Sequence, residues 1–229
     1  MKKIVSFSLW GNKNKYTLGM IENVKLAKEI YPDWIIKIHY NNSVPKQIIE
    51  WLKNNDNVEL VKHENNFNNF SNCFWRIEEI FSDNIVIVRD ADSRLNIREK
   101  AAVDEWLASD KDFHIMRDHP SHTCPILAGC FGSRNKSYEY IVFANGNKNY
   151  NGCPCNFLDA KEQFYKHVEN ISPNEDTYMV DQRYLYKFVY PFVILKTMVH
   201  ASHNKYEPFA KDFPQTNYKG FVGEVVMNN

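Results

Sequence analysis

Asn84-Ile85-Val86-Ile87-Val88, followed at once by Arg89-Asp90-Ala91-Asp92-Ser93-Arg94, is the stretch on which the fold turns. Asn84 to Val88 reads as a short, essentially uninterrupted apolar run, the signature of a strand buried on both faces of a parallel sheet. Working upstream, Lys3 to Leu9 is a β-rich segment, and a polar turn from Gly11 to Lys15 leads to a helix over Thr17 to Ile30. There Met20, Ile21, Val24, Ala27 and Ile30 recur at helical spacing. Pro32 ends that helix, Trp34 to Tyr40 reads as a second strand, Pro45 opens a short helix through Leu52, and Val58 to Val61 reads as a third strand. A polar stretch rich in Asn and Phe (Asn65 to Asn72, read as a loop) precedes a helix from Asn72 to Phe81. This succession of strands and helices predicts an α/β fold with a mostly parallel central sheet flanked by helices.

Downstream the pattern loosens. Ile97 to Ser109 reads as a helix, Phe113 to Met116 and Ile126 to Phe131 as short strands, and Asn145 to Gly152 as a loop. Two more helices are expected over Leu158 to Val168 and Tyr178 to Phe188, the second stopped near Pro191. The tail from His200 shows no periodicity. With neither a repeat nor a linker in view, residues 1–229 read as one domain.

Composition narrows the function classes. Lys plus Arg number 28 and Asp plus Glu 28, so the formal net charge is +0. A non-specific nucleic-acid binder needs a basic excess to displace counterions, so nucleic acid is not an expected partner. Nothing after Met1-Lys2-Lys3 has the length of a signal-peptide core, and no stretch approaches the roughly 18 apolar residues of a membrane span. The five cysteines are odd in number and irregularly spaced, as in a reducing compartment. The expectation is a soluble cytoplasmic chain without an integral membrane segment (host cytoplasm, if viral). Aromatic residues reach 14%, which suits a large core and equally a site that stacks flat ligands.

In an open parallel sheet, ligands bind beyond the carboxyl ends of the strands. The Asn84–Val88 strand delivers Asp90 and Asp92 to that edge, two hard-oxygen ligands suited to Mg²⁺ or Mn²⁺. A divalent ion there bridges phosphate oxygens and neutralises a departing diphosphate. Two other readings use the same residues. One is a plain solvated acidic turn. The other is a phosphatase of the haloacid-dehalogenase type with Asp90 as nucleophile, although no downstream acidic segment of that kind follows Asp92. His119, His122 and Cys124, and Cys153 with Cys155, do not have the spacing of structural zinc sites.

Several further segments stand in one order: Phe74-Trp75-Arg76, Glu105-Trp106, His114 to Pro120, Gly129-Cys130-Phe131-Gly132, Val180-Asp181-Gln182, His200 and Phe221-Val222-Gly223-Glu224. Together with Ser8-Leu9-Trp10-Gly11, Tyr16, Gly19, Asn23 and Tyr31-Pro32-Asp33-Trp34, they resemble a family of viral and bacterial glycosyltransferases of the GT-A fold, related more distantly to lipopolysaccharide galactosyltransferases. The resemblance implies a nucleotide-sugar donor, most often a UDP-sugar, a glycan or other hydroxyl acceptor, and Mn²⁺ as the usual ion. It implies that residues 1–95 form the nucleotide-binding half, and that 96–229 form the sugar and acceptor half with a closing C-terminal segment. By position, Asp90, Asp92 and His200 are the implied metal ligands, with Asp90 shared with the donor ribose, His203 a weaker candidate and Lys205 a phosphate contact. Ser8, Trp10, Gly11 and Tyr16 are expected to cradle base and ribose, with Phe7 or Trp10 as stacking rings and Trp75 beside them. Arg76 is a candidate diphosphate or base contact, and Gly129 to Gly132 fall near the transferred sugar. Asp118, Asp181 and Gln182 are candidate catalytic groups, for sugar hydroxyls or as general base. A catalytically silent nucleotide- or sugar-binding module fits the same residues.

Overall fold

The computed structural model describes residues 1–64, 69–134 and 157–227. The expected loop over Asn145 to Gly152, the Cys153–Cys155 pair and the first half of the Asn65–Asn72 run lie outside them. Among the described residues, seven strands form one sheet: β1 (Lys3–Leu9), β2 (Ile35–Tyr40), β3 (Val58–Lys62), β4 (Ile85–Arg89), β5 (Phe113–Arg117), β6 (Cys130–Ser133) and β7 (Thr197–Ala201). Their order is β3-β2-β1-β4-β6-β5-β7, and only β6 runs antiparallel to its neighbours. The fold is the mostly parallel, helix-flanked α/β sheet that the sequence predicts.

Strand alternation assigns the two faces. Val5, Phe7, Leu9, Ile85 and Ile87 point to one side, where they meet α1 (Asn14–Ile30), α2 (Lys46–Lys53) and α3 (Ile97–Leu107). Ile4, Val86 and Val88 point to the other, against a 3₁₀ segment (Phe70–Phe81), α4 (Phe157–Glu169) and α5 (Val180–Tyr184). Phe7, Phe131 and Trp106 are fully buried, each worth about 2–3 kcal/mol over an exposed ring. Phe7 is therefore core, not a stacking platform. None of the described helices is long and apolar enough to cross a membrane.

Four elements depart from the sequence expectation. The helix expected over Asn72 to Phe81 is a 3₁₀ segment, because β1 captures its backbone. Ser8 Oγ accepts from the Arg76 N–H at 3.0 Å, and Ser6 Oγ donates to the Arg76 carbonyl at 2.9 Å. Only β6, not the whole of Ile126 to Phe131, is extended, since Leu127 to Cys130 closes a turn through a 3.1 Å backbone bond. The helix expected to stop at Pro191 continues: a π turn (Leu185–Val189) ends one ladder, and α6 (Tyr190–Val193) restarts with Pro191 in its first turn. There the missing N–H costs nothing. Finally, the segment entering the tail is strand β7, whose parallel pairing with β5 sets Met116 opposite His200.

Candidate functional site

The chain leaves β1 towards β2 and β3 on one side, then crosses to β4 on the other. The strand order reverses between β1 and β4, the place where open α/β sheets bind ligands. A cleft of about 620 Å³ opens there, at the carboxyl ends of both strands. Trp10 and Tyr16 follow β1 into it, and Asp90, Ala91 and Asp92 follow β4. Trp10 and Tyr16 are roughly parallel, with centroids 6.4 Å apart and planes 17° from coplanar, and Trp75 meets Trp10 edge-on.

The Asp90–Ser93 turn is fixed from three sides. From β4, the fully buried Arg89 points to the α3 side and pairs with Glu99 at 3.0 Å. Its other donors reach the Gly129 carbonyl at 2.7 Å, Cys130 Sγ at 3.2 Å and Ser93 Oγ at 3.2 Å. Glu99 also accepts from Tyr31 Oη at 3.1 Å. Asn23, buried in α1, donates to the Ser93 carbonyl at 2.8 Å and accepts from the Leu95 N–H at 3.0 Å. Gly129 lies so close that a Cβ there would fall 1.9 Å from Asp90 Oδ2. Gly129→Ala should therefore displace Asp90 and weaken divalent-ion binding at least tenfold. Its stability cost, read from a thermal melt, should be only about 1–3 kcal/mol, the usual cost of a tight added methyl.

Each carboxylate of the turn already has a cationic partner. Arg76 holds Asp90 at 2.9 Å and Asp181 at 2.8 Å, while Lys15 holds Asp92 at 3.2 Å. Burial, and then the charge of Asp90, push the Asp92 carboxyl above the usual range. Burial pushes Asp181 up as well, against the pull of Arg76. Three carboxylates thus converge on one partly desolvated edge, where excess negative charge favours a cation. Two carboxylates beside an open cleft suit an octahedral Mg²⁺ or Mn²⁺ that fills its remaining positions with water and phosphate oxygens. The residues therefore fit the expected ion, which Asp90 and Asp92 would hold.

Of the residues expected at the site, Ser8, Trp10, Tyr16, Arg76, Asp90, Asp92, Asp181 and Gln182 line the cleft. Met179 carries the last two in: its backbone is left-handed at φ 69°, a strain of about 1–2 kcal/mol that turns the chain into α5. Gly11 does not line the cleft. It turns the chain with φ +73° and donates its N–H to Ser43.

His200, Lys205 and Asp118 go elsewhere. His200 is fully buried on β7, with Nδ1 2.8 Å from His114 Nε2 and Nε2 3.0 Å from Glu105, so it is not brought to the aspartate pair. Its register opposite Met116 aims the ring at the α3 face. Lys205 pairs with Asp212 at 2.8 Å on the surface. Asp118 is saturated by two bonds from Arg98, one from Ser202 and one from the Val222 N–H.

That last bond shows what Asp118 does: it docks the C-terminal segment. Val222 on Asp118, Phe221 stacked on His119 at 4.2 Å, and the Val226 N–H on the Asp92 carbonyl at 2.9 Å lay residues 221–226 along the turn. Phe221, Gly223, Glu224 and Val225 form a wall of the cleft. Burial alone would raise the Asp118 carboxyl, but Arg98, Ser202 and the Val222 amide hold it below the usual range. A depressed carboxylate contributes stability that is complete above its unfolded value of about 3.9 and fades as pH falls through the folded value. Hydrogen exchange of residues 219–227 should accelerate below about pH 4 in the wild type. In Asp118→Asn it should be fast at every pH.

His122, Tyr178 and Glu224 also line the cleft; Glu224 belongs to the closing C-terminal segment, while nothing local in the sequence points His122 or Tyr178 to the site. His122 Nδ1 accepts from the Asp118 N–H at 3.0 Å, which places the ring proton on Nε2. Burial lowers its pKa to about 4, so the ring is neutral at pH 7 and offers a donor to a ligand.

No family model and no curated protein matches the chain. Among the solved structures similar to it are two glycosyltransferases. One is a glycosyltransferase involved in the glycosylation of the major capsid of PBCV-1, 15% identical over 88% of this chain and 82% of that one, with a TM-score of 0.47. The other is a mannosyltransferase from Pyrobaculum calidifontis in complex with GDP-Man and Mn²⁺, 12% identical over 71% of this chain and 50% of that one, with a TM-score of 0.45. Likeness at this level carries no residue roles across.

Proposed function

We propose that the chain is a metal-dependent glycosyltransferase with a GT-A-like fold, moving a sugar from a nucleotide-sugar to a hydroxyl acceptor such as a glycan. The observation that carries this reading is the pairing of Asp90 and Asp92 with Arg76 and Lys15 at the edge where the strand order reverses, beside Trp10 and Tyr16. In that reading residues 1–95 hold the nucleotide and 96–229 the sugar and acceptor, as two halves of one domain.

Asp90 and Asp92 hold Mn²⁺ or Mg²⁺, and the bound ion supplies charge neutralisation for the leaving nucleoside diphosphate. Lys15 and Arg76, engaged with the same carboxylates, are placed to turn towards phosphate oxygens once those carboxylates bind a cation. Trp10 and Tyr16 offer flat faces to the base, which we take to be uracil. Asp181, on the same Arg76 nitrogen as Asp90, and Gln182 beside it line the cleft, and we assign them to the sugar. Asp181, with its raised pKa, can take a proton from an acceptor hydroxyl if Arg76 swings to the phosphates. The segment 221–225 and the His122 N–H close over the donor.

The test is nucleoside diphosphate release with Mn²⁺ and a donor panel of UDP-sugars and GDP-mannose, with and without simple glycosides. Metal-dependent release that rises with an acceptor supports the enzyme. Donor binding by calorimetry without release marks a silent binding module. No affinity for any nucleotide sugar ends the proposal.

A further inference from the structure

A second cluster lies at the carboxyl edge, beyond Trp10, on β2, the end of β3 and the far part of the 3₁₀ segment that also carries Arg76. His39 is on β2, His63 directly follows β3, and Glu78 belongs to the 3₁₀ segment. Among the described residues, these three form the one group of His, Cys, Asp or Glu whose ligand atoms all lie within 4.8 Å of one another. We propose that His39, His63 and Glu78 bind a Zn²⁺-type borderline divalent ion, distinct from the hard ion of the aspartate pair.

The geometry suits that ion. His39 Nδ1 and His63 Nε2 face each other at 3.1 Å, close to the roughly 3.3 Å between two ligands of a tetrahedron with Zn–N bonds of about 2.05 Å. Two imidazoles and a carboxylate are the donor set of an open, three-ligand zinc site. Each ligand is oriented from behind. The far nitrogen of His39, Nε2, is buried without a hydrogen-bond partner, and the Glu79 carboxylate lies 3.6 Å away. A proton on Nε2 facing Glu79 leaves the Nδ1 lone pair for a metal, the usual carboxylate–histidine–metal relation. Trp75 stacks on the His63 ring at 4.3 Å with planes 5° apart, fixing its direction. The Tyr165 hydroxyl lies beside Glu78.

Charge does not oppose an ion: Glu59, Glu78 and Glu79 are balanced by Lys2 and Lys37, which pair with Glu59 and Glu79, and by Lys161 near Glu78. An ion here would tie the ends of β2 and β3 to the 3₁₀ segment that carries Trp75 and Arg76, the inner wall of the donor cleft.

The experiment titrates metal-stripped protein with Zn²⁺ against a chromophoric chelator, and with Co²⁺ while recording its visible spectrum. The wild type should bind one Zn²⁺ and show the intense d–d band of four-coordinate Co²⁺. Histidine ring-proton resonances of His39 and His63 should shift. Asp92→Ala should bind as tightly as wild type. His63→Ala and Glu78→Gln, with folding checked by circular dichroism, should bind at least tenfold more weakly. A Co²⁺ spectrum of six-coordinate type, unshifted His39 and His63 resonances, or equal affinity in His63→Ala would overturn the proposal. So would loss of the site in Asp92→Ala.

Discussion

Asp92→Ala should lower metal-dependent turnover by about three orders of magnitude while leaving the melting temperature unchanged or slightly raised. The kinetic part follows from removing one of two protein ligands to the charge that stabilises the leaving diphosphate, an interaction made most strongly as the bond breaks. Single electrostatic contacts of that kind are worth about 10²–10³ in rate, and the loss of a metal ligand sits at the top of that range or above it. The stability part follows from the carboxyl itself. Its pKa is raised, so the folded state holds the charged form less well than water does. Lys15, its one cationic partner, is partly exposed and tolerates its loss. Normal stability with lost turnover separates a functional carboxylate from a structural one. A large drop in melting temperature would instead make the turn a plain structural corner.

The reverse pattern is expected one residue before the pair. Arg89→Met should destabilise the fold by about 3–5 kcal/mol, because it strands the Glu99 carboxylate without a countercharge in a fully buried setting. For a chain of this size that is a fall of roughly 10 °C or more in the melting temperature. The double variant Arg89→Met with Glu99→Leu should recover much of the loss, since apolar replacement of a whole buried pair is often neutral. It should not recover donor binding. Without Arg89, nothing holds the Gly129 carbonyl and Ser93 Oγ together, and the turn presenting Asp90 loses its backing. A single variant as stable as wild type, in a chemical-denaturation series, would show that the pair is not what fixes the turn.

The contrast between these neighbours explains what could be read in the chain beforehand. The apolar run ending at Val88 and the acids after it announce a strand, an edge and a ligand site through local pattern alone. In sequence the serines of β1 read only as part of a β-rich segment, with Ser8 an expected nucleotide contact. They grip the backbone of Arg76 from across the fold, a contact with no local signature. The family resemblance implies His200 as a metal ligand, and strand register sets its ring elsewhere. Opposite Met116 its ring faces α3, and a strand of five residues betrays neither its partner nor its face. Asp118 shows the same limit. Arg98 and Ser202 come from distant segments, and the amide of Val222 is a backbone group, so nothing in sequence marks the aspartate as already satisfied. The closing segment 221–226 was legible as a motif, but its attachment runs through main-chain bonds to Asp92 and Asp118.

The central claim is that Asp90 and Asp92 jointly hold a divalent ion against a nucleoside diphosphate. A crystal soaked with Mn²⁺ and UDP-sugar, with anomalous scattering recorded, tests it most directly. The account predicts a manganese peak bound by both carboxylates, with diphosphate oxygens on the ion and the base against Trp10 or Tyr16. Manganese absent from the two aspartates, or a nucleotide bound away from this cleft, would contradict it.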